Sequence, residues 1–490
     1  MTGSFTHRRK GAKKTAKLSL LVCLLVAFPA YAGNRTSSAS AKQAASETSL
    51  AAVRRSDATD RDAQGKLRKL APTEHMRRAA VYLSVRAFAE ARAHWQTLID
   101  NYPEEARVPE ALLGIGRSYF LGKIYQEGYV VFNRLAREYE GTKEGRDAFN
   151  YSAASLLRMG KFSEAAARYA EYVNRFPNGE RIDTAHLNVI DTLREANRPA
   201  EALQWVTKTR QRFAGTAVET NAMFAALRLY IAEDEWTEAV NIAEQLLKRS
   251  FPKAVLTSAS EVAYLKAFSL EQAGRKQEAF AAYLMVPDGV ESYYGWLATQ
   301  RLAALAGPSR AEVVAKREER VNSVINSVAR TYPAPYRQAI LSASKTRKLD
   351  PRFILALIRQ ESVFKPLAKS PAGARGLLQL TMDAAHKYGP AAGMNALRES
   401  QLYQPETSIM VGAEYLEHLT KMFPQMLEPV AASYNGGEDN VARWLQRSKR
   451  NDPGVFTAEV GFEETKGYVQ KVMSNYRVYR RLYTPDLIKK

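Results

Sequence analysis

At 490 residues the chain is too long for a single ordinary domain, and one cysteine excludes a disulfide-built scaffold. Lysine and arginine outnumber aspartate and glutamate by 71 to 51, a formal net charge of +20. Such a surplus suits an anionic partner, nucleic acid first in a cytosolic protein, or is no more than solvated surface.

Residues 1–32 read as a secretory leader. Arg8, Arg9, Lys10, Lys13, Lys14 and Lys17 precede an apolar run over 18–28, and Ala30-Tyr31-Ala32 offers a small-residue cleavage site. The run is shorter than the ~20 residues needed to span a bilayer. The only cysteine, Cys23, lies inside it, so the processed chain has no thiol chemistry. Export follows, and the basic surplus survives loss of the leader. Residues 33–72 are rich in Ser, Ala and Thr and then in interleaved charge, which predicts a disordered linker.

From 73 to 285 the chain repeats itself. An acidic residue followed by a small one recurs at Glu90-Ala91, Glu127-Gly128, Glu164-Ala165, Glu201-Ala202, Glu238-Ala239 and Glu278-Ala279, at intervals of 37, 37, 37, 37 and 40. Twelve residues after the first four stand Tyr102, Tyr139, Phe176 and Phe213. Helical patterns broken at Gly122, Gly160, Asn197 and Gly274 make each unit a helix pair, and stacked pairs share a continuous core, giving an α-solenoid. Ile115-Gly116-Arg117-Ser118-Tyr119 with Gly122 resembles the tetratricopeptide pattern, although that repeat is typically ~34 residues. Such a solenoid serves as a frame for another domain or as a groove for a protein partner. Residues 286–331 are a helical connector. Its cluster Tyr293-Tyr294-Gly295-Trp296 suits packing between the flanking parts, and 317–320 reads as a charged, solvated stretch.

Residues 332–490 carry the chemistry. Asp350 is placed to cap a helix and Pro351 fits its first turn. Phe353, Ile354, Leu355, Leu357 and Ile358 then leave hardly a polar face, so the helix is expected to be buried. It ends on Glu361, where desolvation and the negative end of the helix dipole both oppose ionisation. A carboxyl group so placed is expected to keep its proton near neutrality, as a general acid must.

The stretch from Glu361 to Gln379, ESVFKPLAKSPAGARGLLQ, resembles the soluble lytic transglycosylases of the lysozyme superfamily. Their pattern runs E-S-x-F/W-N/D-P-x-A-x-S-x-x-G-A-x-G-L-M/L-Q. Lys365 departs from it where Asn or Asp is usual, and Thr381-Met382-Asp383 lacks the proline and second threonine that follow. Ala432-Ser433-Tyr434-Asn435-Gly436-Gly437 looks like the family's A-Y-N-A-G block. Phe462-Glu463-Glu464-Thr465-Lys466-Gly467-Tyr468-Val469 looks like its F-x-E-T-R-x-Y-V block, with Lys466 for arginine.

The resemblance implies an all-α or α+β chain, a tetratricopeptide-like solenoid followed by a mainly helical lysozyme-like catalytic domain. It implies cleavage between N-acetylmuramic acid and N-acetylglucosamine without water, closing a 1,6-anhydro ring, with Glu361 as acid and then base. Ser370, Gln379, Tyr434, Asn435 and Glu464 would bind substrate. Each also has a purely structural reading: Ser370 starting the turn, Gln379 tying backbone, Tyr434 lying in the core. Asp383 is expected at the surface, and Lys365, if turned inward, would favour an ionised Glu361.

His386 and His418 lack metal-site spacing, and neither metal nor organic cofactor is indicated. The implied substrate is the glycan strand of peptidoglycan in the periplasm of a Gram-negative cell, with no nucleic acid. A protein partner on the repeats and peripheral contact with anionic membrane remain further readings of the solenoid and the charge. Two alternatives stand: a goose-type lysozyme-like hydrolase, and a non-catalytic repeat scaffold that only binds peptidoglycan.

Overall fold

A computed structural model describes residues 39–370 and 373–490, with side chains from 49 onward. The leader 1–32 lies outside the described residues. Among the described residues the fold is helical, and β-pairing is limited to isolated bridges such as Lys369–Arg375 and Arg375–Leu380. Two compact units are formed, one ending at Thr209 and one running Arg210–Lys490.

The first unit begins earlier than composition suggests. Residues 33–72 are not a single structureless tether, because Ala39–Thr59 is a helix. Val53 and Asp57, one turn apart, are both buried on it. Asp57 accepts from Arg78 at 2.6 Å, from Tyr82 at 2.5 Å and from His94 at 3.0 Å. Composition averaged over forty residues hides this one docking stripe.

Helix pairs follow. Phe88–Asn101, a six-residue turn, Val108–Leu121 and a three-residue turn make up one 37-residue period. The acidic residue of the repeat signature lies in a helix's first turn, where the dipole favours it. The small residue after it is fully buried at Ala91, Ala165, Ala202, Ala239 and Ala279, because neighbouring helices meet there. The turn before each such helix passes through the left-handed region at Arg86, Lys123, Gly160, Asn197, Asp234 and Gly274, spaced like the signature itself.

In the second unit the last repeats pack with everything downstream. Helices Ala217–Ala232, Trp236–Leu247, Ala259–Gln272 and Lys276–Leu284 are followed by Tyr293–Leu305 and Gly307–Ser327. Tyr293 and Tyr294 reach in two directions. Tyr294 donates to Glu261 at 2.9 Å, and Tyr293 donates to the Pro453 carbonyl at 3.0 Å. Gly454 admits Tyr264, since a Cβ there would sit 2.2 Å from the tyrosine ring. The 317–320 stretch is not wholly solvated. Arg317 is buried, donating to Thr299 at 2.7 Å and to the carbonyls of Leu284 and Val286 at 3.1 and 2.5 Å, where the helix Lys276–Leu284 ends and its last carbonyls lack helical partners.

Residues 332–490 fold as short helices around Pro351–Ser362. The long final helix Glu463–Leu482 and, to a lesser extent, Arg337–Arg347 pack on it, and Pro405–Met422, Leu427–Gly436 and Pro453–Glu459 complete the domain. Every residue from Phe353 to Ile358 is buried, as the sequence implies.

Candidate active site

Glu361 stands in the last turn of Pro351–Ser362, half-buried, and the chain then breaks sharply. Val363 and Phe364 both take left-handed backbone conformations, with φ of 50° and 61°. Two consecutive non-glycine residues there cost on the order of 1–3 kcal/mol each and persist only where surrounding structure enforces them. At the other end of the helix Asp350 caps the Arg352 N–H at 2.9 Å, as expected. Asp350 also accepts from Tyr476 of the final helix at 2.8 Å.

Tyr468 donates its hydroxyl to Glu361 Oε1 at 2.7 Å. Tyr468 is buried on the final helix. Its contact fixes the orientation of the carboxyl group. In the sequence Tyr468 stands within the block at 462–469 and carries no assigned role. The partner lies 107 residues away, and nothing local marks it.

The loop after Glu361 is held by its own polar groups. Gln379 is buried at a φ of 48°, and its Nε2 donates to the carbonyls of Ala368 at 3.0 Å and Gly376 at 2.9 Å. Ser370 Oγ accepts from the Ala374 N–H at 3.0 Å. Gly376 has no alternative, because a Cβ there would lie 1.9 Å from the Leu402 carbonyl. Arg375 pairs with Glu399 at 2.6 Å. Both Ser370 and Gln379 therefore shape the loop in this structure.

Tyr434 is buried on Leu427–Gly436 and donates to the Leu378 carbonyl at 2.7 Å, so it anchors the residue before Gln379. Its ring packs on Tyr415 with centroids 5.2 Å apart. Asn435, next along, accepts from Thr465 at 2.7 Å. Thr465 opens the final helix beside Glu464, which is exposed. The structure thus joins Glu361 to the final helix through Tyr468, and Asn435 to the same helix through Thr465. Lys365 and Asp383 are both exposed.

Another carboxyl group is buried in the same unit. Glu428, in the first turn of the helix that carries Tyr434, meets the Tyr293 hydroxyl at 3.3 Å, and burial pushes its pKa up to about 7. Its surroundings are protein on every side, so we assign it to packing rather than to the site.

Comparisons with known proteins bear on the domains. Residues 338–456 match the transglycosylase SLT domain, and 110–142 and 152–215 match tetratricopeptide repeats. The soluble lytic murein transglycosylase of Escherichia coli K12 is 32% identical over 157 residues, covering 32% of this chain and 24% of that protein. Its counterpart in Salmonella typhimurium is 32% identical over 151 residues, covering 30% and 23%. The chain spans about a quarter of the length of these curated relatives. Among solved structures, an inactive mutant of lytic transglycosylase Slt from Pseudomonas aeruginosa aligns over 84% of this chain and 81% of its own, with a TM-score of 0.51 and 18% identity. That likeness supports the fold: a repeat solenoid followed by a lysozyme-like domain.

Proposed function

We propose that this chain, a transglycosylase SLT domain behind tetratricopeptide repeats, is a peptidoglycan lytic transglycosylase. The observation that carries the reading is Glu361, held by Tyr468 at the broken end of a buried helix within the matched domain. Ordinary glycosidases place two carboxyl groups across the scissile bond. The nearest acid in sequence after Glu361, Asp383, is exposed, and the reading assigns both directions of proton transfer to the one carboxyl group.

With Tyr468 donating to Oε1, the transferable proton is assigned to Oε2. Glu361 gives it to the oxygen bridging N-acetylmuramic acid to N-acetylglucosamine, and the C1–O bond breaks. The acetamido oxygen of the same sugar closes on C1 and holds the positive charge. Glu361, now a carboxylate, takes the proton of the 6-hydroxyl, whose oxygen displaces the acetamido group at C1. A 1,6-anhydro ring forms, the acid is regenerated and no water is consumed. The left-handed turn at Val363 and Phe364 and the loop tied by Gln379 shape the wall beside the acid. Tyr434, Asn435, Ser370 and Glu464 are assigned to holding that wall and the sugar or peptide groups that lie on it.

This reading puts the protein at the cell wall, in the periplasm of a Gram-negative cell, reached through the leader 1–32. The basic surplus suits anionic stem peptides and leaves room for peripheral contact with anionic membrane, and the repeats offer a surface for a protein partner.

Mass spectrometry of products from purified peptidoglycan tests the reading. Muropeptides one water lighter than hydrolysis products are expected. Reducing-end products would make the protein a hydrolase of the same fold, and binding without products would make it a scaffold.

A further inference from the structure

We infer that Glu261, a residue of the repeats, positions the catalytic carboxyl group through the final helix, an inference that rests on the function proposed above. The side chain of Lys466 reaches Glu261 Oε1 at 3.0 Å, with the two side chains 11% and 2% exposed. The same carboxylate takes the Tyr294 hydroxyl at 2.9 Å and the Thr257 hydroxyl at 2.8 Å, so each of its oxygens has a donor. The ammonium also lies 3.4 Å from the Leu256 carbonyl and 4.9 Å from the centre of the Phe224 ring. Every one of these partners comes from residues 224–294, outside the matched catalytic domain.

Buried ion pairs cost about as much in desolvation as they return, so stability is a poor reason for this one. Register is a better reason. Lys466 and Tyr468 are two residues apart on one helical turn, which places them about 200° apart around the axis. One faces the repeats and the other faces Glu361. The turn is clamped between them, with Thr465 holding Asn435 beside it.

Farther along, Arg477 lies eleven residues after Lys466 and so returns to the same face, where it pairs with Asp288 of the connector at 2.7 and 3.0 Å. Away from that face the helix grips the catalytic helix at both ends, by Tyr468 on Glu361 and by Tyr476, on its flank, on Asp350. The final helix is a splint whose outer face is fixed by Glu261 and Asp288 and whose inner face sets the acid. A shift of the splint moves the Tyr468 hydroxyl away from Glu361. Misplacements of about 1 Å in a catalytic group are enough to cost up to ~100-fold in rate.

The test uses the full chain on purified peptidoglycan. Glu261→Gln keeps the shape of the carboxylate and removes the charge facing Lys466. We expect kcat to fall about tenfold with KM within about twofold, and helical content to stay unchanged. Lys466→Met should do the same, while Lys466→Arg, which can still pair with Glu261, should keep most of the turnover. In a Tyr468→Phe background, Glu261→Gln should cost less than about twofold more, because both changes act on one contact.

Folded Glu261→Gln and Lys466→Met variants with wild-type kcat would overturn the inference and leave the enzyme reading intact. So would full multiplicativity of the Glu261 and Tyr468 effects. If Glu261→Gln fails to fold, the contrast between Lys466→Met and Lys466→Arg decides alone. An inert wild-type chain overturns the functional reading, and the inference with it.

Discussion

In the unit ending at Thr209, ion pairs between repeats sit on the rim. Arg146 with Glu180, Arg175 with Glu140, and Arg181 with Asp147 clip neighbouring repeats at partly exposed positions. The stacking itself is apolar, as where Phe132 and Tyr151 lie ring on ring at 4.8 Å. In Arg210–Lys490 the acids go inside. Glu261, Asp288, Asp452 and Glu459 have side chains 1–3% exposed, and each meets a cation: Lys466, Arg477, Arg301 and Arg228. A repeat stacked on its like needs only matching apolar faces. A repeat packed against an unlike fold must select one orientation among many, and paired buried charges penalise every orientation that leaves them unpaired. The second unit is the one that contains a site whose geometry must be held.

The largest effect that sharpens this contrast is chemical. Glu361→Gln keeps the size of the side chain and an acceptor for Tyr468 but removes the transferable proton. Loss of general acid catalysis alone costs about 10²–10⁴ in rate, and the same group is also the base, so turnover on peptidoglycan should become undetectable. Binding to peptidoglycan in a sedimentation assay should persist. Turnover by the variant at a sizeable fraction of the wild-type rate would remove Glu361 from its assigned role.

The next effect concerns stability. Glu428 is buried with its pKa raised to about 7 from the usual carboxylate range, so the folded second unit holds a proton that the unfolded chain releases. Its contribution is fully present below pH ~4.5 and is lost as pH rises toward ~7, to an upper bound of about 3 kcal/mol. Glu428→Gln should remove this slope and raise stability at pH 7.5. Hydrogen exchange over Leu427–Gly436 and Pro453–Glu459 measures it, after correction for intrinsic rates. An unchanged slope in the variant would show that the carboxyl group is already ionised in the fold.

Tyr468→Phe separates holding the acid from being the acid. The ring remains in the core and only the hydroxyl on Glu361 is lost. Turnover should fall about tenfold with KM little changed, the pattern of an interaction that matters in the transition state. A raised KM at constant kcat would instead place Tyr468 in substrate binding.

These residues also mark what was legible in the sequence. The repeats were readable because one small buried residue returns at nearly constant spacing, and Ala91 and Ala165 are buried for the same reason at each return. The catalytic helix was readable because its cap, its apolar run and its terminal acid are contiguous. Tyr468 and Lys466 were not, since their partners lie 107 and 205 residues away and only folding brings them together. Arg317 read as solvated because its neighbours in sequence are charged, whereas its partners are carbonyls some thirty residues upstream. Ser370 and Gln379 were found by pattern, but their bonds to the loop backbone depend on its turns at Gly373 and Gly376.

The smallest effect tests a buried polar cluster at the start of the first unit. The Leu70 N–H donates to His75 Nε2 at 3.2 Å, so neutral His75 must carry its proton on Nδ1. That nitrogen is 3.0 Å from His94 Nδ1, which must then accept, leaving the proton of His94 on Nε2 facing Asp57 at 3.0 Å. One arrangement of protons satisfies every contact, and adding another breaks one. Burial, then the neighbouring His94, lowers the His75 pKa to about 4. Burial lowers that of His94 against the pull of Asp57. A depressed histidine contributes stability above its unfolded pKa near 6.5 and loses it as pH falls toward 4, the opposite sign to Glu428. Because Asp57 and Glu74 oppose the lowering of the His75 pKa while Arg78 adds to it, we expect a loss of only about 1–2 kcal/mol between pH 7 and 4.5. Hydrogen exchange over 48–84 should report it as selective loosening of the first helix and the segment at Leu70. His75→Gln, whose side-chain oxygen can still accept from Leu70, should flatten the dependence. Equal protection at both pH values in the wild type would mean that Asp57 and Arg78 hold this helix without the histidines.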